Sequence, residues 1–198
     1  MDWIGGRMNI FFLDKSPRAS AQAHYDKHVW KMTIEVCQCI SYALNEMEIQ
    51  LNCECPKHQG NPRPAKWILE SYANMRYAID LGYCLLQEGD ERYGKSGKNG
   101  IKLANQRMFL AFAMLKVTDI KKWYEKTNKS INKLTTPSQS FNEKLYPNNE
   151  RFYEWSNSGD SVKKVMENYR AYYNFGDGKK HLTYKKTSPP KWYIQNKE

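Results

Sequence analysis

Apolar residues recur at helical spacing through residues 18–47, which contain no helix breaker. They include Val29, Met32, Val36, Ile40 and Leu44. This period of about 3.6 residues predicts one long amphipathic helix, begun by Ser16 and Pro17. The polar positions of the same segment form a second stripe, at steps of four, three, four and three residues: His24, His28, Lys31, Glu35 and Gln38. Side chains at these steps lie on one side of a helix.

The remaining pattern predicts three more helices, a short strand and polar loops. The predicted elements are a strand over 9–13, a helix from Pro64 to about Gln87, a helix over 101–117 that continues over 118–128, and a helix over 160–174. We therefore expect a mainly α fold, a compact helical domain with a short N-terminal strand. One domain would span residues 1–198, with 1–7 as an extension ahead of Met8 and 175–198 as a basic, aromatic C-terminal arm.

The charge balance indicates an anionic partner. The 198 residues contain 31 Lys and Arg against 21 Asp and Glu, a formal net charge of +10. Chains this basic bind DNA, RNA, nucleotides or anionic membranes. No apolar run approaches the roughly 20 residues of a membrane span, and we identify no signal peptide. We expect a cytoplasmic protein without a membrane partner, whose five cysteines are reduced thiols.

The polar stripe of the first helix is the main candidate for chemistry. Two histidines, a lysine and a carboxylate beside Trp30 are typical of a lined cleft, and a solvated helix face is the alternative. Lys31 could contact an anion or act as an amine nucleophile, with Glu35 as general acid or base. The two could equally form an ordinary ion pair between neighbouring helical turns. His24 and His28 lack an HExxH pattern, so we assign them no metal.

Three further segments each allow two interpretations. Residues 53–58 (CECPKH) offer a C-x-C-x-x-H zinc pattern or free loop thiols. Residues 94–100 (GKSGKNG), preceded by Arg92, could form a phosphate-contacting loop or a flexible one, and they are not a Walker A motif. Residues 179–193 interleave cations and aromatics, which suits a nucleic-acid backbone with stacked bases but also a plain basic tail.

The opening MNIFFLD and the following HYDKHVWKMTIE resemble an uncharacterised family of small proteins of tailed phages and some large DNA viruses. Members begin MNIFxLD and continue with a pattern like HxDKHVVKMxxE. The likeness covers most of the chain except roughly 100–158, and includes residues 56–58, 64–67, 70–71, 74, 91–95, 169–173 and 190–193. Such proteins are often labelled pyrimidine-dimer DNA glycosylase-like. The phage enzyme of that name attacks with the amine of an N-terminal threonine, which this chain lacks, so the resemblance implies another amine, Lys31 or Lys27. Asn61 stands where the family pattern implies a second histidine.

Three functional hypotheses follow. The first is a DNA base-excision glycosylase or lyase, with Lys31, Glu35 and His28 as catalytic groups and a flipped nucleotide in the pocket. Its substrate-binding residues would be His24, Lys27, Gln38, Trp30, Trp67, Tyr77, Arg92 and Lys95, with no metal or cofactor. The second is a non-catalytic binder that sequesters a nucleotide signal of host antiviral defence, and the third is an enzyme acting on free nucleotides. Each would act in the cytoplasm of the infected host cell.

Overall fold

The fold is mainly helical, as predicted. The computed structural model describes residues 10–57, 63–95, 103–135, 137, 162–175 and 183–194. Seven helices lie in these ranges: α1 Pro17–Ala23, α2 Asp26–Glu46, α3 Arg63–Ile68, α4 Tyr72–Tyr93, α5 Ala104–Leu115, α6 Val117–Lys126 and α7 Val162–Phe175. The strand predicted over 9–13 begins outside the described residues. Residues 10–13 form no strand in the described part of the chain, and they are buried in the core.

The core forms where α2 packs against α4 and α5. The predicted apolar face of α2 is buried, and Val36, Ile40 and Leu44 are almost wholly removed from solvent. A Cβ at Gly82 of α4 would lie 3.1 Å from the side chain of Leu110 in α5 and 3.4 Å from that of Val36. The missing side chain at Gly82 therefore lets the three helices approach closely, which increases dispersion contact across the core.

The prediction of one continuous helix over 18–47 is wrong at His24 and Tyr25. Both residues have extended backbone, with φ and ψ of −69° and 137° at His24 and −73° and 162° at Tyr25. The chain thus ends α1, turns, and begins α2 at Asp26. His24 consequently does not continue the helical stripe of His28, and their spacing of four residues no longer places them on one helix face.

Side chains distant in sequence stabilise this break. The guanidinium of Arg92 donates to the carbonyls of Gln22 at 3.0 Å and His24 at 2.8 Å. The hydroxyl of Tyr184 donates to the carbonyl of Ala23 at 2.9 Å. The last carbonyls of a helix lack intrahelical partners, so tertiary donors at these three positions compensate for the helical bonds lost.

The predicted second helix is also divided, into α3 and α4. Residues 69–71 separate them, because the Ser71 side chain caps α4 by accepting from the Asn74 amide at 3.1 Å. The Ser71 hydroxyl also donates to the Lys133 carbonyl at 2.7 Å, and the Tyr72 amide donates to the Ser130 carbonyl at 2.9 Å. These bonds attach the segment after α6 to the start of α4. The helix α4 runs to Tyr93, six residues beyond its predicted end at Gln87.

Candidate functional site

Four of the five stripe residues lie along α2, and their exposure varies along it. His28 is buried, while the side chain of Lys31 is 44% exposed and that of Glu35 is 12% exposed. The Nζ atom of Lys31 lies 3.4 Å from Oε1 of Glu35. The Nε2 group of Gln38 donates to the Lys57 carbonyl at 2.9 Å. An accessible amine thus stands beside a mostly shielded carboxylate, one helical turn from an imidazole.

Aromatic side chains enclose the imidazole of His28. Tyr25 stacks on it with ring centroids 3.9 Å apart, and Phe11 lies at 5.0 Å. The hydroxyl of Tyr173 in α7 is hydrogen-bonded to Nδ1 of His28 at 2.9 Å. Burial lowers the pKa of His28 well below its usual value, and the nearby His24 and Lys31 lower it further. His28 is therefore a neutral, oriented group at neutral pH.

Tyr25 stacks on His28 and also lies within the electrostatic influence of the Glu35 carboxylate. Burial raises the pKa of the Tyr25 hydroxyl, and the neighbouring Tyr172 and Glu35 raise it further. The hydroxyl consequently remains protonated near the Glu35 carboxylate. Periodicity along α2 could not indicate a role for Tyr25, because it lies before the first helical residue.

His24 is placed in the interior rather than on the stripe. Its Nδ1–H donates to the Ser20 carbonyl at 2.6 Å, and its Nε2 has no hydrogen-bond partner among the described residues. Burial lowers the pKa of His24 to about 4, and the positive charge of Arg92 contributes. The ring packs edge-on against Tyr173 at 6.3 Å. This environment suits a neutral histidine that fills the core between α1 and α2.

Arg92 is also inside the fold. Its side chain is 1% exposed, and it pairs with Asp26 at 3.2 Å and Glu88 at 2.8 Å in addition to the carbonyls that it caps. These contacts use the guanidinium donors that a phosphate would need. The cluster joins the C-terminal end of α4 to the N-terminal end of α2.

Of the three aromatic residues predicted to line the pocket, two lie in the core and one borders the polar stripe. Trp67 is fully buried and meets Tyr77 edge-on at 6.1 Å, and the Tyr77 hydroxyl donates to the Asp14 carbonyl at 2.7 Å. Both are core residues in this conformation. Trp30 is half-buried on α2 and lies 5.4 Å from Tyr93, so it alone of the three borders the stripe.

Lysines from two parts of the chain meet at the start of α2. Lys27 is exposed on the first turn of α2, and the Lys185 amide donates to the Asp26 carboxylate at 2.8 Å. The Asp26 amide in turn donates to the Thr183 carbonyl at 2.9 Å. The arm is thereby anchored at the start of α2, and its Lys185 and Lys186 are exposed, as is Lys27. Lys95, also exposed, follows the end of α4 close to the same junction.

We define the α2 site as Lys27, His28, Lys31 and Glu35 of α2 with Lys185 of the arm. These residues combine three exposed cations with a mostly shielded carboxylate and a buried, neutral imidazole near the start of α2. The sequence pattern indicated the four α2 residues. The sequence pattern did not indicate their partners Tyr25 and Tyr173 as site residues, and only the tyrosine-rich sequence of α7 hinted at Tyr173.

A groove of about 450 Å³ lies elsewhere, between α4 and α5. Its lining is mostly apolar and consists of Asp80, Tyr83, Cys84, Ala111, Met114 and Leu115. None of the predicted site residues lines this groove. The concavity is therefore separate from the α2 stripe, which was expected to form the wall of a cleft.

The zinc pattern over 53–58, the loop over 94–100 and the basic segment over 179–193 lie partly outside the described residues. The parts that are not described include His58, residues 96–100 and residues 179–181. Within the described part of the chain, no group of three or more His, Cys, Asp or Glu residues is arranged to hold a metal ion. All five cysteines are free, with Cys37 and Cys39 buried in α2. Burial raises the pKa of both thiols, so neither is a thiolate at neutral pH.

Among the described helices, none has the length and apolar character needed to cross a bilayer. No family model, curated protein or solved structure matches this chain. Functional inference therefore depends on the chemistry of the α2 site and on the resemblance described above.

Proposed function

We propose that the protein binds DNA at the α2 site and cleaves a glycosidic bond or processes an abasic sugar there through the amine of Lys31. The observation that carries this proposal is the accessible amine 3.4 Å from the shielded Glu35 carboxylate. The formal charge of +10 supports an anionic ligand. The resemblance to phage and viral proteins supports DNA as that ligand and the infected host cell as its location.

The arrangement of the pair suits imine chemistry. Glu35 accepts a proton from the Lys31 ammonium, and the neutral amine forms a bond to C1′ of the deoxyribose. The C1′–N bond breaks with its electron pair on the base, which takes a proton as it leaves. The C1′–O4′ bond then opens, O4′ is protonated, and a C=N bond forms to Nζ. Water later adds to the imine and returns the free amine and an aldehyde.

The neighbouring groups suit the ligand. Lys27 and Lys185, both exposed near the start of α2, would supply cations for the phosphates next to the reacting sugar. The buried, neutral imidazole of His28, oriented by Tyr173, would support the Lys31–Glu35 pair from the interior. Trp30 is half-buried at the border of the stripe and offers an apolar surface to an extruded nucleotide.

The same ion pair favours a second candidate, a non-catalytic nucleotide binder. A lysine paired with a carboxylate is protonated, and an ammonium binds phosphate but does not attack carbon. Under this alternative, Lys31 and Lys27 hold a nucleotide signal of host defence without changing it.

Borohydride trapping distinguishes the two candidates. The wild-type protein, incubated with abasic-site or ultraviolet-irradiated duplex DNA and then reduced, should form a covalent adduct that mass spectrometry maps to Lys31. Lys31→Arg keeps the positive charge and should lose the adduct while retaining DNA affinity, and exposed Lys15→Arg is the matched control that should trap normally. Absence of any adduct with the wild-type protein would overturn the enzymatic proposal. Unchanged nucleotides recovered in tight complex would then favour the binder.

A further inference from the structure

A second basic region surrounds α6 and shares no residue with the α2 site. Residues 116–133 contain six lysines against Asp119 and Glu125. Both acids are already paired, Asp119 with Lys116 at 3.1 Å and Glu125 with Lys121 at 3.8 Å. The four lysines without an acidic partner among the described residues are Lys122, Lys126, Lys129 and Lys133. We call these four the α6 surface.

The α6 surface is held in place by bonds to α3 and α4. The Nζ of Lys129 donates to the Leu69 carbonyl at 2.8 Å, and the Lys133 carbonyl accepts from the hydroxyl of Ser71 at 2.7 Å. The hydroxyl of the buried Tyr124 donates to the Ile68 carbonyl at 2.7 Å. The backbone that carries the lysines is thus fixed before a partner binds, which reduces the entropy lost on binding.

The lysines repel one another in the free protein. Lys122 and Lys126 are both exposed and stand four residues apart on α6, where like charges destabilise a helix by a few tenths of a kcal/mol. Lys129 lies with its Nζ 4.6 Å from the ring centroid of the half-buried Trp123. A polyanion would relieve this repulsion along the whole surface.

The composition of α6 favours a nucleic acid over a membrane. Its apolar residues Ile120 and Tyr124 are buried against the fold and Val117 and Trp123 are half-buried, so the helix exposes mainly charged and polar side chains rather than a wide apolar face for a lipid surface. Lys122 and Lys126 instead expose only their charged side chains to solvent. A phosphate backbone is recognised by such charges without any apolar insertion.

The two basic regions lie at opposite ends of α4. The α6 surface is attached at Ser71 and Tyr72, whereas Arg92 connects the other end to the α2 site. A helix of 22 residues is about 33 Å long, close to the roughly 34 Å of one turn of B-DNA. A duplex of about ten base pairs therefore matches the length of the helix between the two attachment points.

We infer that the α6 surface is a second contact for the phosphate backbone of DNA, so that the protein takes a polymeric duplex rather than a free nucleotide. The inference deepens the proposed function, on which it rests for DNA as the ligand. It does not depend on covalent chemistry at Lys31. A duplex clearly shorter than one turn should bind without the contribution of the α6 surface.

Salt-dependent binding tests this inference. The variant Lys122→Gln/Lys126→Gln is compared with the control Lys15→Gln/Lys163→Gln, which removes the same charge from exposed positions outside both regions. For a 20-base-pair duplex, the slope of log K against log salt should fall by about 1.8 in the first variant, at about 0.9 per phosphate contact. It should not change in the control, and affinity for a six-base-pair duplex should be equal in both.

Several results of these binding measurements would count against the inference. Equal slopes for the two variants with the long duplex would overturn it. So would an equal loss with the short duplex, or a loss confined to binding of anionic vesicles or acidic polypeptide. A reduced slope in a protein that forms no Lys31 adduct would leave the α6 surface established and refute only the proposed chemistry.

Discussion

Replacing Arg92 with methionine should destabilise the protein strongly. Methionine keeps most of the length and volume of the side chain but removes the guanidinium. In the native fold this group pairs with Asp26 and Glu88 and donates to the carbonyls of Gln22 and His24. The variant would leave two carboxylates and two carbonyls without these donors.

The burial of the carboxylates sets the size of the effect. The Asp26 and Glu88 side chains are 6% and 7% exposed, so water cannot readily replace the guanidinium. Removing one partner of a buried ion pair costs about 3–5 kcal/mol. For a chain of this length, each kcal/mol lowers Tm by about 2–4 °C, so a loss of about 4 kcal/mol corresponds to a Tm decrease of about 8–16 °C.

Urea unfolding followed by circular dichroism measures the free energy of unfolding. Arg18→Met is the matched control, because Arg18 forms an exposed pair with Glu91 at 3.5 Å, with side chains 56% and 57% exposed. Such a pair contributes about 0–1 kcal/mol. Adding Glu88→Gln to Arg92→Met removes one uncompensated charge and should recover part of the loss.

Equal destabilisation by Arg92→Met and Arg18→Met would refute the reasoning. It would mean that the buried cluster contributes no more than an exposed pair. A double variant less stable than Arg92→Met alone would show that Glu88 is stabilised by groups other than Arg92.

Three further predictions concern packing, pH and capping. Gly89→Ala should cost about 1–3 kcal/mol in urea unfolding, because the new Cβ would lie 2.5 Å from the Trp30 ring. The free energy of unfolding should fall as pH decreases from about 6.5 to about 4, because the unfolded state protonates His24 before the folded state does, and His24→Gln should flatten this pH dependence. Ser71→Ala should cost about 1–2 kcal/mol in thermal unfolding, since it loses the cap of α4 and the bond to Lys133.

Control variants distinguish these specific effects on the free energy of unfolding from nonspecific destabilisation. A Cβ in Gly82→Ala would lie 3.1 Å from the Leu110 side chain and 3.4 Å from that of Val36, both farther than the 2.5 Å contact at Gly89, so this variant should cost less than Gly89→Ala. Ser16→Ala removes the cap of α1 alone and should cost less than Ser71→Ala. An unfolding free energy that does not change between pH 6.5 and 4, or is equally pH-dependent in His24→Gln, would contradict the account of His24.

Periodicity located most of the helices. The predicted helix over 101–117 with its continuation corresponds to α5 and α6, and that over 160–174 corresponds to α7. Apolar spacing is a local property that each segment carries in its own residues, so a chain of this composition reveals which stretches are helical and which face is buried. The Lys31–Glu35 pair is equally local, because both residues lie on one helix.

Tertiary structure alone decided the break at His24, the burial of Arg92 and the orientation of His28. Arg92 meets Asp26 across 66 positions in the chain, and Tyr173 meets His28 across 145. A stripe of polar residues does not reveal which of its members another element will cover. Burial and pKa depend on the side chains that pack around a group, and those come from elements far apart in the sequence. Helical spacing therefore indicated candidate residues, and packing divided them into an ion pair on α2 whose lysine is accessible and an interior network that stabilises the fold.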